Sequence, residues 1–398
     1  MIKSIKKASD AFLHSVVSVK KEEREKTTVL TTTEYPIKNY EIPSEGMLLS
    51  IGDVRDLSYI KTDDLIDPHR NLYFYNSSIC KYKDQYRLFY RCGRNPKTCE
   101  DRIATCLLTK NLEVVPHTNK YIEVYSNWEE SRKCGPDVLA RHIQYYYYDV
   151  KEIRSLVYKD NRHVEDPRAI EFNNHWFIFY TDGLTVGVAK LNIDTCNVIY
   201  SHFLKVPPQS ILSTQYDGRE KNWIPVVANN ELYILYSDTP RTFFHCKDEL
   251  NKLSIINREK FGYNVKWSYG DIRGGCPPIS YDDNLLIWFF HSSTTIYCSL
   301  PIPNSKIYFI GAYVTKNTYP FEILKISTFP IFFGTPSHIR TNLHYQSNVV
   351  FPCGAVREDN TFIISMGIND YCIGHLKINK KDIIWKDLKK EYMQLSVI

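Results

Sequence analysis

The stretch DPRAIEFNNHWFIFYTD, Asp166 to Asp182, opens on a polar Asp-Pro pair and turns at Asn173-Asn174. It returns as a run of Trp, Phe, Ile and Tyr. Asn and Asp accept the positive φ of tight hairpin turns, and the returning run is rich in strand formers. The same phrase recurs as NSSICKYKDQYRLFYR (Asn76 to Arg91), NWIPVVANNELYILYSD (Asn222 to Asp238), GCPPISYDDNLLIWFFH (Gly275 to His291) and FPCGAVREDNTFIISMGIND (Phe351 to Asp370). Their turns read KYKDQ, FNNH, ANNE, YDDN and REDN. One hairpin cannot bury its own face, so copies must stack around a common axis. The sequence therefore predicts an all-β fold, a five-bladed β-propeller.

Each hairpin is followed by a further strand-like piece: Arg102 to Leu108, Thr185 to Ile193, FFHCKDELNKL, IYFIGAYV and Cys372 to Ile378. The spacing is uneven, and an insertion from Asn111 to Arg162 separates the first two copies. Regular scaffolding repeats keep an even period, so this pattern favours an enzyme-type propeller with functional loops. Residues 1–45 read as an N-terminal arm and 46–398 as the propeller domain. The arm's apolar patch, Ala11 to Val19, precedes the charged run Lys20 to Lys26. His14 and Ser15 interrupt the patch and no clean cleavage site follows, which favours a short amphipathic helix over a signal peptide. The polar tail, Asp382 to Ile398, either closes the first blade or packs outside it.

The net charge of +5 permits an anionic ligand, but no Lys/Arg stripe interleaved with aromatics marks a nucleic-acid surface. No run approaches the ~18 apolar residues of a membrane span. Eleven cysteines, an odd number, lie scattered without a CxxC pair, several inside strand runs (Cys80, Cys92, Cys106). They read as reduced thiols of a cytoplasmic protein. The 30 tyrosines suit sheet faces and also sugar-binding clefts, since each ring is flat, apolar and carries a hydroxyl.

In a propeller the start of each blade's first strand lies near the axis, so residues distant in sequence converge there. That level holds Asn76, Glu165-Asp166-Pro167-Arg168, Lys221-Asn222-Trp223, Arg273-Gly274-Gly275 and Phe351-Pro352. The ends of the next strands add Arg91, Arg94, Asp182, Asp238, His291 and Asp370. Singly, each would be an ordinary loop residue. Polar residues at one level in all the blades describe a lined axial cleft.

These same residues carry a resemblance. VEDPRAIEFNNHWFIFYTDG resembles the EDPR blade of glycoside hydrolase family 130, the β-mannoside phosphorylases and related hydrolases. YNSSICKYKDQYRLFYR is similar to that family's first blade, GGCPPISYDDNLLIWFFH to its GGxPPI blade, and VVFPCGAVREDNTFIISMGINDYCIG to its FPxG blade. The KNW of the third blade resembles the related β-mannosyltransferases of glycosyltransferase family 108. The likeness runs from about Asn71 to Ile378.

The resemblance implies Asp166 as general acid, acting through a sugar hydroxyl. It implies Arg91, Arg168, Lys221 and His291 as phosphate ligands, since a dianion needs convergent cations. Asn76, Glu165, Asp182, Asn222 and Asp370 would orient the sugar, with Trp223 as a stacking platform or a core residue. FFHSS departs from the family's YHG, and GIND from its GAAD. The expected chemistry is inverting phosphorolysis or transfer of β-linked mannosyl units on an oligosaccharide or glycoside. Inorganic phosphate, a sugar phosphate or a sugar nucleotide would be co-substrate, and the scheme needs no metal or organic cofactor. An inverting hydrolase stays open; it needs a second carboxylate about 6.5–9.5 Å away, supplied by Glu165, Asp182 or Asp238. A non-catalytic sugar-binding propeller also stays open. The three-carboxylate plan of the sucrose- and arabinan-cleaving propellers is disfavoured, because Asn76 stands where an Asp is required.

Overall fold

A computed structural model describes residues 57–61, 64–66, 73–93, 101–124, 164–182, 185–204, 221–238, 241–247, 250, 252–255, 265–296, 305–334 and 349–388. The N-terminal arm with its expected helix, Arg94 and most of the 111–162 insertion lie outside them.

The described strands form five antiparallel sheets, one per blade. Blade 1 is Tyr73–Tyr82, Gln85–Gly93, Arg102–Leu108 and Lys120–Ile122; blade 2 is Glu165–Phe172, His175–Thr181, Val186–Asn192 and Val198–Phe203. Blade 3 is Ile224–Ala228, Glu231–Asp238, Arg241–Lys247 and Lys252–Ile255. Its third and fourth strands divide the single outer strand expected from FFHCKDELNKL. The start of the insertion supplies the outermost strand of blade 1.

Blade 4 runs Ile279–Asp282, Leu285–Ile296, Ser305–Lys316 and Ile323–Ser327, with Trp385–Asp387 added outside and Phe332–Phe333 on its third strand. Blade 5 is Val350–Glu358, Thr361–Ile368 and Cys372–Asn379, closed by Leu57–Tyr59 from the other end of the chain. The described part of the tail does not close the first blade: Trp385–Asp387 extends blade 4, and Leu57–Tyr59 closes blade 5.

The hairpins turn as their composition dictates. Asn173 and Asn174 have φ of 49° and 58°, and Asn229 and Asn230 have 51° and 60°, the paired positive values of a type I′ turn. Each pair of neighbouring blades shares one hydrophobic cluster. Trp176 lies between blades 1 and 2, Phe244 between 2 and 3, Trp288 between 3 and 4, Phe289 between 4 and 5, and Leu88 between 5 and 1. The three tryptophans Trp176, Trp223 and Trp288 are at most 1% exposed. Truncating one to Ala would cost about 3–5 kcal/mol. Toward the turn end of the inner strands a cavity of about 540 Å³ opens, walled by Ile79, Ala169, Ile170, Pro277, Ile279 and Ala355. Lys81, Glu171, Arg357 and Asp359 line it as well.

His375 is fully buried in blade 5, with Nε2 3.4 Å from Ser365 Oγ, itself 2.6 Å from Ser77 Oγ in blade 1. Burial, with a smaller push from Lys377, drives its pKa down to about 3. The unfolded chain, at about 6.5, then binds the extra proton throughout the window between the two values. Stability should fall as pH drops through that window, by up to about 4–5 kcal/mol. Urea unfolding from pH 7 to 4 checks this: His375→Gln should flatten the acid slope by about one proton. Equal slopes in the two proteins would refute the assignment.

Candidate active site

Three blades begin in the same unusual backbone conformation. Asn76, Asp166 and Asn222 have φ of 47°, 55° and 64°. Each stands two residues before a paired position: Ser78↔Phe89, Arg168↔Phe179 and Ile224↔Leu235. In blades 1 and 2 the ladder skips between Tyr75 and Ser78 and between Glu165 and Arg168, a bulge of two residues against one. Asn and Asp are the side-chain-bearing residues that reach the left-handed region most readily, and such strain concentrates at functional sites. The bulge aims Asn76 and Asp166 at each other. Asn76 Nδ2 donates to Asp166 Oδ1 at 2.7 Å, and both residues are buried.

Arg91, at the end of the second strand of blade 1, gathers the acids. Its Nη1 lies 3.3 Å from Asp166 Oδ1, and its Nη2 2.7 Å from Glu165 Oε1. A two-pronged bond to Asp101 completes the set, with Nε to Oδ1 at 3.0 Å and Nη2 to Oδ2 at 2.9 Å. Bidentate pairing fixes a guanidinium in plane and position. Asp101 also receives the Val164 amide on its carbonyl at 3.1 Å, which sets the strand leading into Glu165-Asp166. Arg91, expected as a phosphate ligand, stands here as the counter-ion of three carboxylates. Asn76 Nδ2 and Arg91 Nη1 both reach Oδ1 of Asp166.

Arg168 ties this acid to the neighbouring blades. Nη1 donates to the Asp166 carbonyl (3.2 Å), Nη2 to Asn222 Oδ1 (3.1 Å) and Nε to the Gly275 carbonyl (2.9 Å), while the guanidinium lies 5.3 Å from the Phe351 ring centre. The adjacent Gly274 carbonyl accepts from His291 Nδ1 at 2.9 Å. Gly274 has no room for a side chain, because a Cβ there would stand 2.1 Å from the Asn222 carbonyl oxygen. His291 is 2% exposed, bridged through its backbone to Arg273, and its ring lies 4.6 Å from Phe351 and parallel to Tyr308 at 6.2 Å. Burial holds it neutral, well below the usual histidine range, and the charges of Arg273, Arg168 and Lys221 push the same way. One cation each from blades 2, 3 and 4 thus acts electrostatically on this ring.

Tyr308 belongs to this cluster: burial raises its pKa, Arg273 opposes the rise and Asp370 adds to it. Asp370, with φ of 49°, is half-buried beside it. Neither Asp101 nor Tyr308 carries a sequence signal; one opens an outer strand and the other sits inside an aromatic run.

Trp223 and Asp182, both expected at the sugar, make contacts within the protein. Trp223 is 1% exposed and packs edge-on against Tyr236 and Phe244, each at 5.3 Å, so it is a core residue and not a stacking platform. Asp182 accepts the Thr185 amide at 2.9 Å, and so braces the turn after its strand. Asp238, one possible second carboxylate, is bound to Arg241 at 2.8 Å and to the Tyr313 hydroxyl at 3.0 Å, between blades 3 and 4. Among the described residues no His/Cys/Asp/Glu group has the arrangement of a metal site, and no helix is long and apolar enough to cross a membrane.

Gly367 backs Asn76. A Cβ at Gly367 would stand 1.9 Å from Asn76 Oδ1 and 2.7 Å from its amide nitrogen. Gly367→Ala must therefore push Asn76 off Asp166. A fall in kcat of at least about tenfold is expected, from the loss of one hydrogen bond to a charged group. Unchanged kcat would remove Asn76 from the machinery.

A buried acid held by a donor pair at the axis of a five-bladed propeller is an arrangement that sugar chemistry can use. The family model described as β-1,4-mannooligosaccharide phosphorylase matches residues 150–388, and the chain belongs to this family, glycoside hydrolase family 130. Asp166, Arg168, Lys221 and His291 fall inside the match, whereas blade 1 with Asn76 and Arg91 lies before it. The chain is 21% identical over 328 residues to a β-1,2-mannobiose phosphorylase of Listeria innocua, covering 74% of this chain and 86% of the relative. A glycosyl hydrolase from Bacteroides ovatus superposes with a TM-score of 0.51 at 13% identity, over 80% of this chain and 88% of that one. A family 130 structure described with hydrolases that target β-1,2-mannosidic linkages in Candida mannan superposes at 0.52 and 12% identity, over 80% and 87%.

Proposed function

We propose that this enzyme cleaves, and in reverse forms, a β-mannosidic bond by inverting transfer to phosphate. The reading rests on Arg168, whose guanidinium joins the Asp166 carbonyl to Asn222 and the Gly275 carbonyl, and on Lys221 and Arg273, whose charges act with it on the buried His291 ring. Convergent cations suit a phosphate dianion and would be a burden in a site built to activate water. The carboxylates a hydrolase would need are engaged: Glu165 with Arg91, Asp182 with the Thr185 amide, Asp238 with Arg241.

In this reading a phosphate oxygen attacks C1 from the face opposite the leaving group. The C1–O bond breaks while Asp166, directly or through a sugar hydroxyl, delivers a proton to the departing oxygen. The products are an α-mannosyl phosphate and the shortened acceptor. Asn76 and Arg91 hold the Asp166 carboxyl in place, and Asn222 and Asp370 face the sugar hydroxyls. A transferase using a sugar nucleotide would draw on the same cations.

The test is incubation of the purified protein with mannose 1-phosphate or GDP-mannose and short mannoside acceptors. Chain growth with release of inorganic phosphate is the expected result. Growth with GDP alone as donor product would make it a transferase, and free mannose without growth a hydrolase.

A further inference from the structure

Four large apolar side chains stand exposed among the described residues: Tyr59, Ile199, Tyr371 and Ile384. Scattered exposed apolar residues are ordinary. Tyr59, Ile199 and Ile384 lie on or beside the outermost strands of their blades. Tyr371 does not. It follows Asp370 in the turn between the second and third strands of blade 5, at the end of the sheet where the inner strands begin. That turn is pinned. Asn369 and Asp370 have φ of 54° and 49°, and the Tyr371 amide donates to the Ile368 carbonyl at 3.0 Å. Asn369 exchanges two bonds with Val349, its amide donating to the carbonyl at 2.8 Å and its Oδ1 accepting from the amide at 3.1 Å. Tyr371 therefore keeps 36% of its surface exposed on a fixed support. Its ring centre lies 4.9 Å from that of Tyr73, with 42° between the planes. Tyr73 is half-buried and opens the inner strand of blade 1.

Both rings are tied to the acid through one residue. Asn76, whose Nδ2 reaches Asp166 at 2.7 Å, stands three residues after Tyr73 and packs against Gly367, four residues before Tyr371. At about 3.3 Å per strand residue the pair lies roughly 10 Å from Asn76 toward the mouth of the axis, the span of about two linked pyranose rings. A terminal mannosyl unit at Asp166 leaves the rest of its chain trailing through that mouth. A β-mannosyl ring carries three axial C–H bonds on one face, and a tyrosine ring offers a matching apolar plane with a hydroxyl at its edge. We propose that Tyr371, backed by Tyr73, is the platform on which the third ring of a β-mannosyl chain stacks, so that the substrate is an oligosaccharide of at least three sugars. The sugar's identity rests on the phosphorolysis reading. Tyr371 touches no reacting atom in this scheme; it selects chain length by binding.

The test compares phosphate-dependent kcat/KM of the full-length protein on β-1,2- and β-1,4-linked mannobiose, mannotriose and mannotetraose. In the series that turns over, the wild type should gain about tenfold from two rings to three and less than about twofold from three to four. Tyr371→Ala should erase the gain through KM, with kcat on the trisaccharide within about twofold of wild type, and Tyr371→Phe should keep it. Damage to the fold would lower all lengths alike, so the ratio between lengths isolates the platform. Tyr59→Ala, on the outer strand, should leave that ratio unaltered. Equal kcat/KM for two and three rings in the wild type, or a gain that survives Tyr371→Ala, overturns the platform and leaves phosphorolysis standing. If phosphate supports no turnover at any length, the phosphorolysis reading fails, and calorimetry with mannotetraose then decides the platform by itself. Binding weaker by about tenfold in Tyr371→Ala supports it; equal or undetectable binding in both proteins overturns it.

Discussion

Asn in place of Asp166 is expected to lower kcat by about 10²–10⁴-fold, the range that a positioned proton donor contributes. The substitution is nearly isosteric, and Asn tolerates the left-handed φ of 55° as Asp does. The amide oxygen can still accept from Asn76 Nδ2, so the bulge should persist and the melting temperature should move little. Lost are the acidic proton and the negative charge that faces Arg91. A mannoside whose leaving group departs without protonation, such as a dinitrophenyl glycoside, should recover most of the deficit, whereas a sugar leaving group should not. Retention of more than a tenth of kcat on a natural-type mannoside would remove Asp166 from the role of acid. A loss that is equal for both leaving groups would make it a sugar ligand.

The second large effect concerns Arg91. Replacing it with Met leaves Asp101, Glu165 and Asp166 together without their common cation, in a site where Arg91 and Asp101 are at most 8% exposed by side chain. Removing one member of a buried ion-pair network costs about 3–5 kcal/mol, because the remaining charges stay desolvated and unpaired. The sign of the pH dependence follows. In the variant the three carboxylates repel and hold protons more readily, so protonation on acidification relieves it and not the wild type. The deficit between the two should shrink as pH falls from 7 toward about 5, near the carboxylate range. Denaturant unfolding at both pH values measures it. A deficit under about 1 kcal/mol at pH 7 would mean that water reaches these carboxylates and screens them.

These two residues illustrate what different levels of structure decide. The propeller was legible in the sequence because its evidence is local: Asn173-Asn174 and Asn229-Asn230 adopt the positive φ their composition permits, and the runs after them alternate as half-buried strands must. The chain by itself also determined that Asn76, Asp166 and Asn222 occupy one level of three blades, since they begin the same repeated phrase. Partnership was not local. That Arg91 would turn to Asp101, Glu165 and Asp166 depends on a bulge register and on the residue ten positions later that leads into the next strand. Nothing in the periodicity of RIATCLL marks the Asp before it. Trp223 shows the same limit, because a Trp beside a strand looks alike in sequence whether a neighbouring blade covers it or not. The closing strand Leu57–Tyr59 and the added strand Trp385–Asp387 pair with sheets far away in the chain, so only the closed ring could assign them. The sequence determined which side chains arrive at the axis; packing between blades decided which of them are spent on one another and which remain for a ligand.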